Sequence, residues 1–374
     1  MRLALRLARH ATGDTSPNPL VGAVLVKSGR MIGRGWHRRA GQPHAEAEAL
    51  ADAARRGHPA RNATLFVTLE PCCTHGRTPP CTEAIIGAGI RRVVVAATDP
   101  NPSHRGRGFR LLRRAGIQVV SGVLSREALR LNEAFNHWIV HRTPFVTVKA
   151  AMTLDGKIAT AGGESKWITG TTARAHAMQL RRAADAVLVG INTVLADNPS
   201  LSYRPVRSSR FRVQSSGLRT IPSRRVILDT AARTPLDSKV VCDPSAANTI
   251  IVVGRSASAR RVAALAKLVR VWRAPTRAAR VDLRWLLRRL GGEGVTSLLV
   301  EGGGEVNASF LLGGFAHRVA FYYAPKVLGG RHARRAVAGD GARSLAGMVR
   351  LTNVETRRLG ADFFLTARVD ASAT

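Results

Sequence analysis

The stretch between positions 43 and 81 restricts what this chain can fold into more than any other. It opens Pro43-His44-Ala45-Glu46 and closes Glu70-Pro71-Cys72-Cys73, with Cys81 following after eight intervening residues. One imidazole and two thiolates can hold Zn²⁺ at three corners of a tetrahedron, leaving the fourth for water, which marks a catalytic rather than a closed structural site. Glu46, beside the first ligand, is free to carry protons. The bland alternative is that Cys72 and Cys81 are reduced core thiols, which is common for lone cysteines. The His-x-Glu upstream favours the metal.

The flanking sequence supports that assignment. Residues 45–56 (AEAEALADAARR) are strong helix formers, so His44 lies at a helix start. Residues 63–69 alternate and are β-branched, predicting a strand that delivers Cys72 at its end. Residues 82–87 predict a second helix with Cys81 at its N-terminus, where partial positive charge favours the thiolate. His-x-Glu followed by Pro-Cys-x-x-Cys is the signature of zinc nucleobase deaminases. Here the first half matches and the second is stretched.

At 374 residues the chain is long for one core, so two domains are expected. No run of about twenty apolar residues exists, so nothing is expected to span a membrane. The start (MRLALRLARH) is too charged for a signal peptide. Four cysteines, three of them clustered, suit a reducing compartment and a metal; the expected location is the cytoplasm. The formal charge of +34 raises nucleic-acid binding. However, only seven of the 58 basic residues are lysines, the arginines are spread through every segment, and aromatics are only 5%. An arginine-rich surface fits better than a nucleic-acid groove.

Residues 1–143 predict a first unit: a helix over 2–9, a hairpin over 21–37, the metal stretch, a strand over 91–98, a helix ending at Gly116, a strand over 117–121 and a helix over 125–140. This alternation predicts a three-layer α/β domain. Residues 144–374 predict a second α/β unit. Its strands are expected at 145–149, 186–189, 225–228, 249–253, 297–300 and 318–323, and its helices at 171–184, 257–268, 282–290 and 308–313. Residues 204–223, rich in arginine, serine and proline, read as a loop. Three clusters in this unit look chemical: Val300-Glu301-Gly302-Gly303-Gly304, residues 189–199, and residues 153–157 with 165–167. Ligands of open α/β sheets bind at the carboxyl ends of strands, where all three fall. Each alone could be only a turn or loop.

The chain resembles the bifunctional riboflavin-biosynthesis deaminase–reductase family over nearly its whole length. The matching stretches are 16–23 (SPNPLVGA), 44–46 (HAE), 69–72 (LEPC), 76–81 (GRTPPC), 99–102 (DPNP), 154–159 (LDGKIA), 165–169 (SKWIT), 193–197 (TVLAD), 300–303 (VEGG) and 324–329 (APKVLG). The resemblance implies a cytidine-deaminase-like three-layer α/β/α domain followed by a dihydrofolate-reductase-like α/β domain. The first would deaminate 2,5-diamino-6-(5-phosphoribosylamino)pyrimidin-4-one, and the second would reduce its ribosyl group to ribityl with NADPH. It implies zinc ligands at His44, Cys72 and Cys81, Glu46 as general base then acid, and Asn18 against the pyrimidine. It also implies an NADPH site at Ala151, Trp167, Thr193, Asp197, Thr230 and Gly303. Ser165, Arg181, Leu201, Arg204 and Glu301 would meet the phosphorylated substrate, and a homo-oligomer is expected. For the proton donor of the reduction, Asp155, Lys149 and Glu301 are candidates.

The departures from the family pattern fall mainly in the deaminase. Glu48 and Thr74 stand where histidines are usual, with His75 one place further on; in the reductase Asn198 replaces an aspartate. A second reading therefore keeps the reductase and makes the first unit a weak or re-targeted deaminase. A third, a nucleic-acid deaminase or binding protein, rests on charge and leaves the second unit unexplained.

Overall fold

The computed structural model describes residues 1–75, 79–204 and 223–370. The expected loop at 204–223 therefore lies, apart from its two ends, outside the described residues. Contacts divide the described residues into two compact units, one over Met1–Arg142 and one over 143–204 and 223–370. No helix among the described residues is long and apolar enough to cross a membrane.

In the first unit the order is α1 (Arg2–Arg9), β1 (Gly22–Lys27), β2 (Arg30–Trp36), α2 (Ala45–Arg55), β3 (Thr64–Leu69), α3 (Cys81–Gly87), β4 (Arg92–Ala97), α4 (Arg107–Arg114), β5 (Gln118–Ser121), α5 (Ser125–Leu131) and α6 (Glu133–His141). The strands form one sheet in the order β2-β1-β3-β4-β5. β1 runs antiparallel to β2 and β3, and β3, β4 and β5 are parallel. Alternation assigns Ala23, Leu25, Leu65 and Val67 to one face, packed on alanines of α2 and on Ile85 of α3. Val24 and Phe66 face the other way, against Ala4 and Leu7 of α1. Helices on both faces give the three layers expected. The approach of α2 is very close: a Cβ on Gly33 would sit 2.4 Å from the Ala49 carbonyl oxygen, and one on Gly35 would sit 2.5 Å from the Ala49 nitrogen.

The single helix expected over 125–140 is two. Asn132, buried, breaks it because its side chain accepts from Leu20 N (2.8 Å) and donates to Leu20 O (2.9 Å). A tertiary contact outweighs local propensity here.

The second unit contains β6 (Phe145–Thr153), β7 (Lys157–Ala159), α7 (Thr171–Ala183), β8 (Ala186–Gly190), α8 (Ile191–Asp197), β9 (Arg224–Leu228), α9 (Lys239–Cys242), β10 (Thr249–Gly254), α10 (Ala259–Ala266), β11 (Arg270–Ala274), β12 (Thr276–Arg277), β13 (Arg280–Val281), α11 (Leu283–Gly292), β14 (Ser297–Val300), α12 (Gly304–Leu311), β15 (Arg318–Ala324), β16 (Arg334–Arg335), β17 (Leu351–Leu359) and β18 (Asp362–Val369). Nine strands make one sheet in the order β11-β10-β9-β8-β14-β6-β15-β18-β17. From β11 to β15 the strands are parallel, and β18 and β17 add an antiparallel edge. Apolar clusters cover both faces, as a parallel sheet requires. The helix expected at 308–313 instead starts at Gly304, directly after the glycine triplet. The segment 189–199 turns into α8, and β11, β17 and β18 were not expected from sequence.

Candidate active sites

His44 is the last extended residue before α2, so its ring projects from the helix start. Cys72 follows the end of β3, and Cys81 is the first residue of α3. His44 Nδ1 lies 3.4 Å from Cys72 Sγ and 3.3 Å from Cys81 Sγ. All three donor atoms fall within 4.8 Å of one another. Zinc bonds of ~2.3 Å to sulfur and ~2.0 Å to nitrogen place tetrahedral donors roughly 3.5–3.8 Å apart. One nitrogen and two sulfurs at this spacing fit a single zinc ion. The Cys81 N–H donates to Cys72 Sγ at 3.3 Å. Hydrogen bonds from Cys81 and His44 pull the Cys72 thiol down to about 4, while sharing that proton and burial push Cys81 up.

Glu46 lies in the first turn of α2 and is 3% exposed. Burial, reinforced by charge on Cys72, pushes its carboxyl up to about 7.

Three features of this site were not legible in the sequence. His37, buried, donates from Nδ1 to Pro43 O (3.1 Å), which leaves Nε2 to accept from Asn18 Nδ2 (3.0 Å). Its ring packs edge-on against His44 at 5.2 Å. Burial, with the neighbouring His44 charge, lowers its pKa and keeps it neutral. His37 therefore ties the Asn18 loop to the His44 turn. Second, the buried Glu70 carboxylate accepts from Asp99 N (3.2 Å), Gly106 N (3.0 Å) and Gly108 N (3.0 Å). It fastens the 99–108 loop beside Cys72. Third, Thr74 Oγ1 meets His104 Nε2 from that loop at 3.2 Å. His75 stays exposed, 3.8 Å from Glu83, so the imidazole near position 74 is that of His104. Glu48 faces Arg38 at 3.7 Å.

In the second unit Glu301 follows β14 at the carboxyl edge of the sheet. Arg181, from the last turn of α7, grips it with Nε (2.8 Å) and Nη2 (2.7 Å), and Lys149 Nζ lies 3.8 Å away. Burial would raise Glu301, but the charges of Lys149 and Arg181 win and hold it at about 2. Ser165 Oγ donates to Asp197 Oδ1 at 3.0 Å, joining the 165–169 loop to the end of α8. Trp167 is 67% exposed, with the Arg174 guanidinium 4.5 Å over its ring and Lys326 Nζ on the carbonyls of Trp167 (3.3 Å) and Ile168 (2.9 Å). Ala151 lies on β6, Thr193 on α8, Thr230 just after β9, and Gly303 caps α12.

Two candidates take a different part from the one their chemistry suggested. Asp155 accepts from Thr153 Oγ1 (2.6 Å), Leu328 N (3.0 Å) and Gly329 N (2.8 Å), which hold it at about 2. Its three accepted bonds make it a clamp that joins residue 153 to residues 328 and 329. The Leu201 side chain is buried in the sheet core, so only its backbone is available to a ligand. Arg204 is exposed and, among the described residues, bonds from Nη2 to Ser200 Oγ (3.1 Å). The Ser200 carbonyl is pinned by Arg225, a cation 1% exposed at the start of the strand expected at 225–228.

Comparison with known proteins follows the same division. The family described as RibD C-terminal domain matches residues 144–365, and the cytidine and deoxycytidylate deaminase zinc-binding region matches residues 1–97. The riboflavin biosynthesis protein RibD of Actinobacillus pleuropneumoniae is 42% identical, over 98% of this chain and 93% of its own. That of Aquifex aeolicus is also 42% identical, over 98% and 96%. Among solved structures, RibD of Acinetobacter baumannii superposes with a TM-score of 0.85 at 35% identity, covering 99% of this chain and 97% of its own. A deaminase/reductase from Thermotoga maritima, named for diaminohydroxyphosphoribosylaminopyrimidine and 5-amino-6-(5-phosphoribosylamino)uracil, gives 0.80 at 35% identity, covering 99% and 97%. With a zinc-type deaminase unit ahead of a reductase unit, and full-length likeness to both sequences and structures, the chain belongs to the RibD family of bifunctional riboflavin-biosynthesis enzymes.

Proposed function

We propose that residues 1–143 deaminate 2,5-diamino-6-(5-phosphoribosylamino)pyrimidin-4-one and residues 144–374 reduce the ribosyl group of the product. The observation that carries the first step is the cluster of His44, Cys72 and Cys81 with the buried Glu46 two residues from the histidine. His44, Cys72 and Cys81 would hold zinc, which would supply the Lewis acidity that makes hydroxide available near neutral pH. Glu46 takes up the proton released there and delivers it to the amino group leaving as ammonia. Asn18 spends one N–H on His37 and offers its remaining groups to the pyrimidine.

In the second step bound NADPH would be the hydride source, and the chain's part is to hold the open-chain ribosyl C1′ against it. Ala151, Trp167, Thr193, Asp197, Thr230 and Gly303 line its site. Glu301, kept ionised, accepts hydrogen bonds from sugar hydroxyls, and Ser165, Arg181 and the Leu201 backbone complete the pocket. Arg181 spends Nε and Nη2 on Glu301 and turns Nη1 to the Ser202 carbonyl at 3.5 Å, so the exposed Arg204 is the one assigned to clamp the substrate phosphate. Purified enzyme given the diaminopyrimidine phosphate alone should release ammonia, and addition of NADPH should then oxidise one equivalent of cofactor. Absence of ammonia with intact reduction of the deaminated substrate would leave only the reductase reading. The same proposal places the enzyme in the cytoplasm, where its free cysteines stay reduced, and as a homo-oligomer, checked by light scattering.

A further inference from the structure

The residues assigned to NADPH follow the sheet. Ala151 is on β6, Gly303 follows β14, Thr193 and Asp197 follow β8, and Thr230 follows β9, in the spatial order β6-β14-β8-β9. At ~4.8 Å per strand this line runs roughly 14 Å along one carboxyl edge. Glu301 and Arg181 mark the end where the sugar is reduced, so the cofactor's adenosine end points toward β9 and β10.

There the chain has built a rigid basic corner. The buried Asp229 carboxylate accepts from Arg233 N (2.9 Å), Thr234 N (2.7 Å) and Thr234 Oγ1 (2.7 Å). Arg261 grips the same turn from outside, at the carbonyls of Ala232 (3.1 Å) and Thr234 (2.6 Å). The Gly254 N–H donates to Thr230 O at 2.9 Å, bringing the start of the next loop alongside. A dinucleotide edge that selects NAD offers a free carboxylate to the adenosine 2′-hydroxyl, whereas one that selects NADP places an arginine there. Asp229 is fully engaged with its own loop. Arg233 is exposed, and among the described residues its guanidinium bonds from Nη2 to Asn192 Oδ1 in the first turn of α8 (3.0 Å). Arg255, exposed, follows Gly254.

We propose that Arg233, supported by Arg255, binds the adenosine 2′-phosphate and makes the reductase select NADPH over NADH. This rests on the NADPH assignment above and adds the residues that discriminate between the two cofactors. Loss of a charge-assisted pair weakens binding roughly 10- to 100-fold.

The test is direct binding, by calorimetry, of NADPH and NADH to the full chain and to Arg233→Gln, Arg255→Gln and Arg233→Lys. Arg233→Gln should weaken NADPH by that factor and leave NADH unchanged. Arg255→Gln should weaken NADPH less, and Arg233→Lys should recover part of the preference. Each variant's thermal midpoint should match the parent's, because both guanidiniums are exposed. The proposal is overturned if Arg233→Gln keeps the parent's NADPH-to-NADH ratio, or loses both cofactors equally. Failure of the parent chain itself to bind either cofactor would instead remove the underlying assignment.

Discussion

Replacing Arg225 with methionine tests whether a buried cation holds the segment that presents Leu201 and Arg204. The guanidinium donates to Thr249 Oγ1 (2.8 Å), Ser200 O (2.8 Å), Asp243 Oδ2 (2.7 Å) and Val240 O (3.0 Å). Breaking a buried pair by removing one partner costs about 3–5 kcal/mol. Here the Asp243 side chain is 18% exposed, so water recovers part of that loss. Thr249 also keeps its own bond to Val240 O at 2.6 Å. Methionine retains much of the buried aliphatic volume. These offsets bring the expected destabilisation to about 2–4 kcal/mol. Asp243→Asn leaves the other three contacts in place and should cost less, about 1–2 kcal/mol. Urea unfolding of the full chain should show a lower midpoint for the transition of the second unit only. Steady-state assays should show KM for the phosphorylated substrate rising while ammonia release is unchanged. If Arg225→Met unfolds at the parent's midpoint with the parent's KM, the anchoring argument is wrong.

Glu46→Gln should retain one zinc per chain by metal analysis, lower ammonia release by at least about 10²-fold, and spare NADPH oxidation. His37→Ala should also keep the metal, but lower kcat/KM for deamination about tenfold by releasing Asn18; loss of zinc instead would make His37 a support of the ligand alone. Glu301 is held at about 2, below its ordinary 4.5, so it stabilises the folded state fully above 4.5. That contribution, about 3 kcal/mol, is lost as pH falls from 4.5 toward 2. Unfolding midpoints across that window should fall for the parent and fall less steeply for Glu301→Gln.

The metal cluster was legible because its chemistry demands particular residue types at particular places, and the strand and helices that carry them are strongly patterned. The edge pair β17 and β18 was hidden because β17 is exposed on nearly its whole length and offers no apolar alternation. α8 was hidden because it starts directly after a buried strand, leaving no polar boundary to read. His37, Glu70 and Arg225 act through partners as far as 38 residues away, or across neighbouring strands, and carry no spacing signature. Such contacts exist only once the sheet has formed.

The seam between β2 and α2 has a consequence for how the deaminase half can change. Where that helix lies, and hence how far its capping imidazole and its carboxylate stand from the two sulfurs, is decided by bare main chain pressed on main chain. A single methyl at Gly35 would lever ligand and carboxylate away from the sulfurs as one body. Drift in the substrate pocket is open to this enzyme, but drift at those two hydrogens would put its reactive distances out of true.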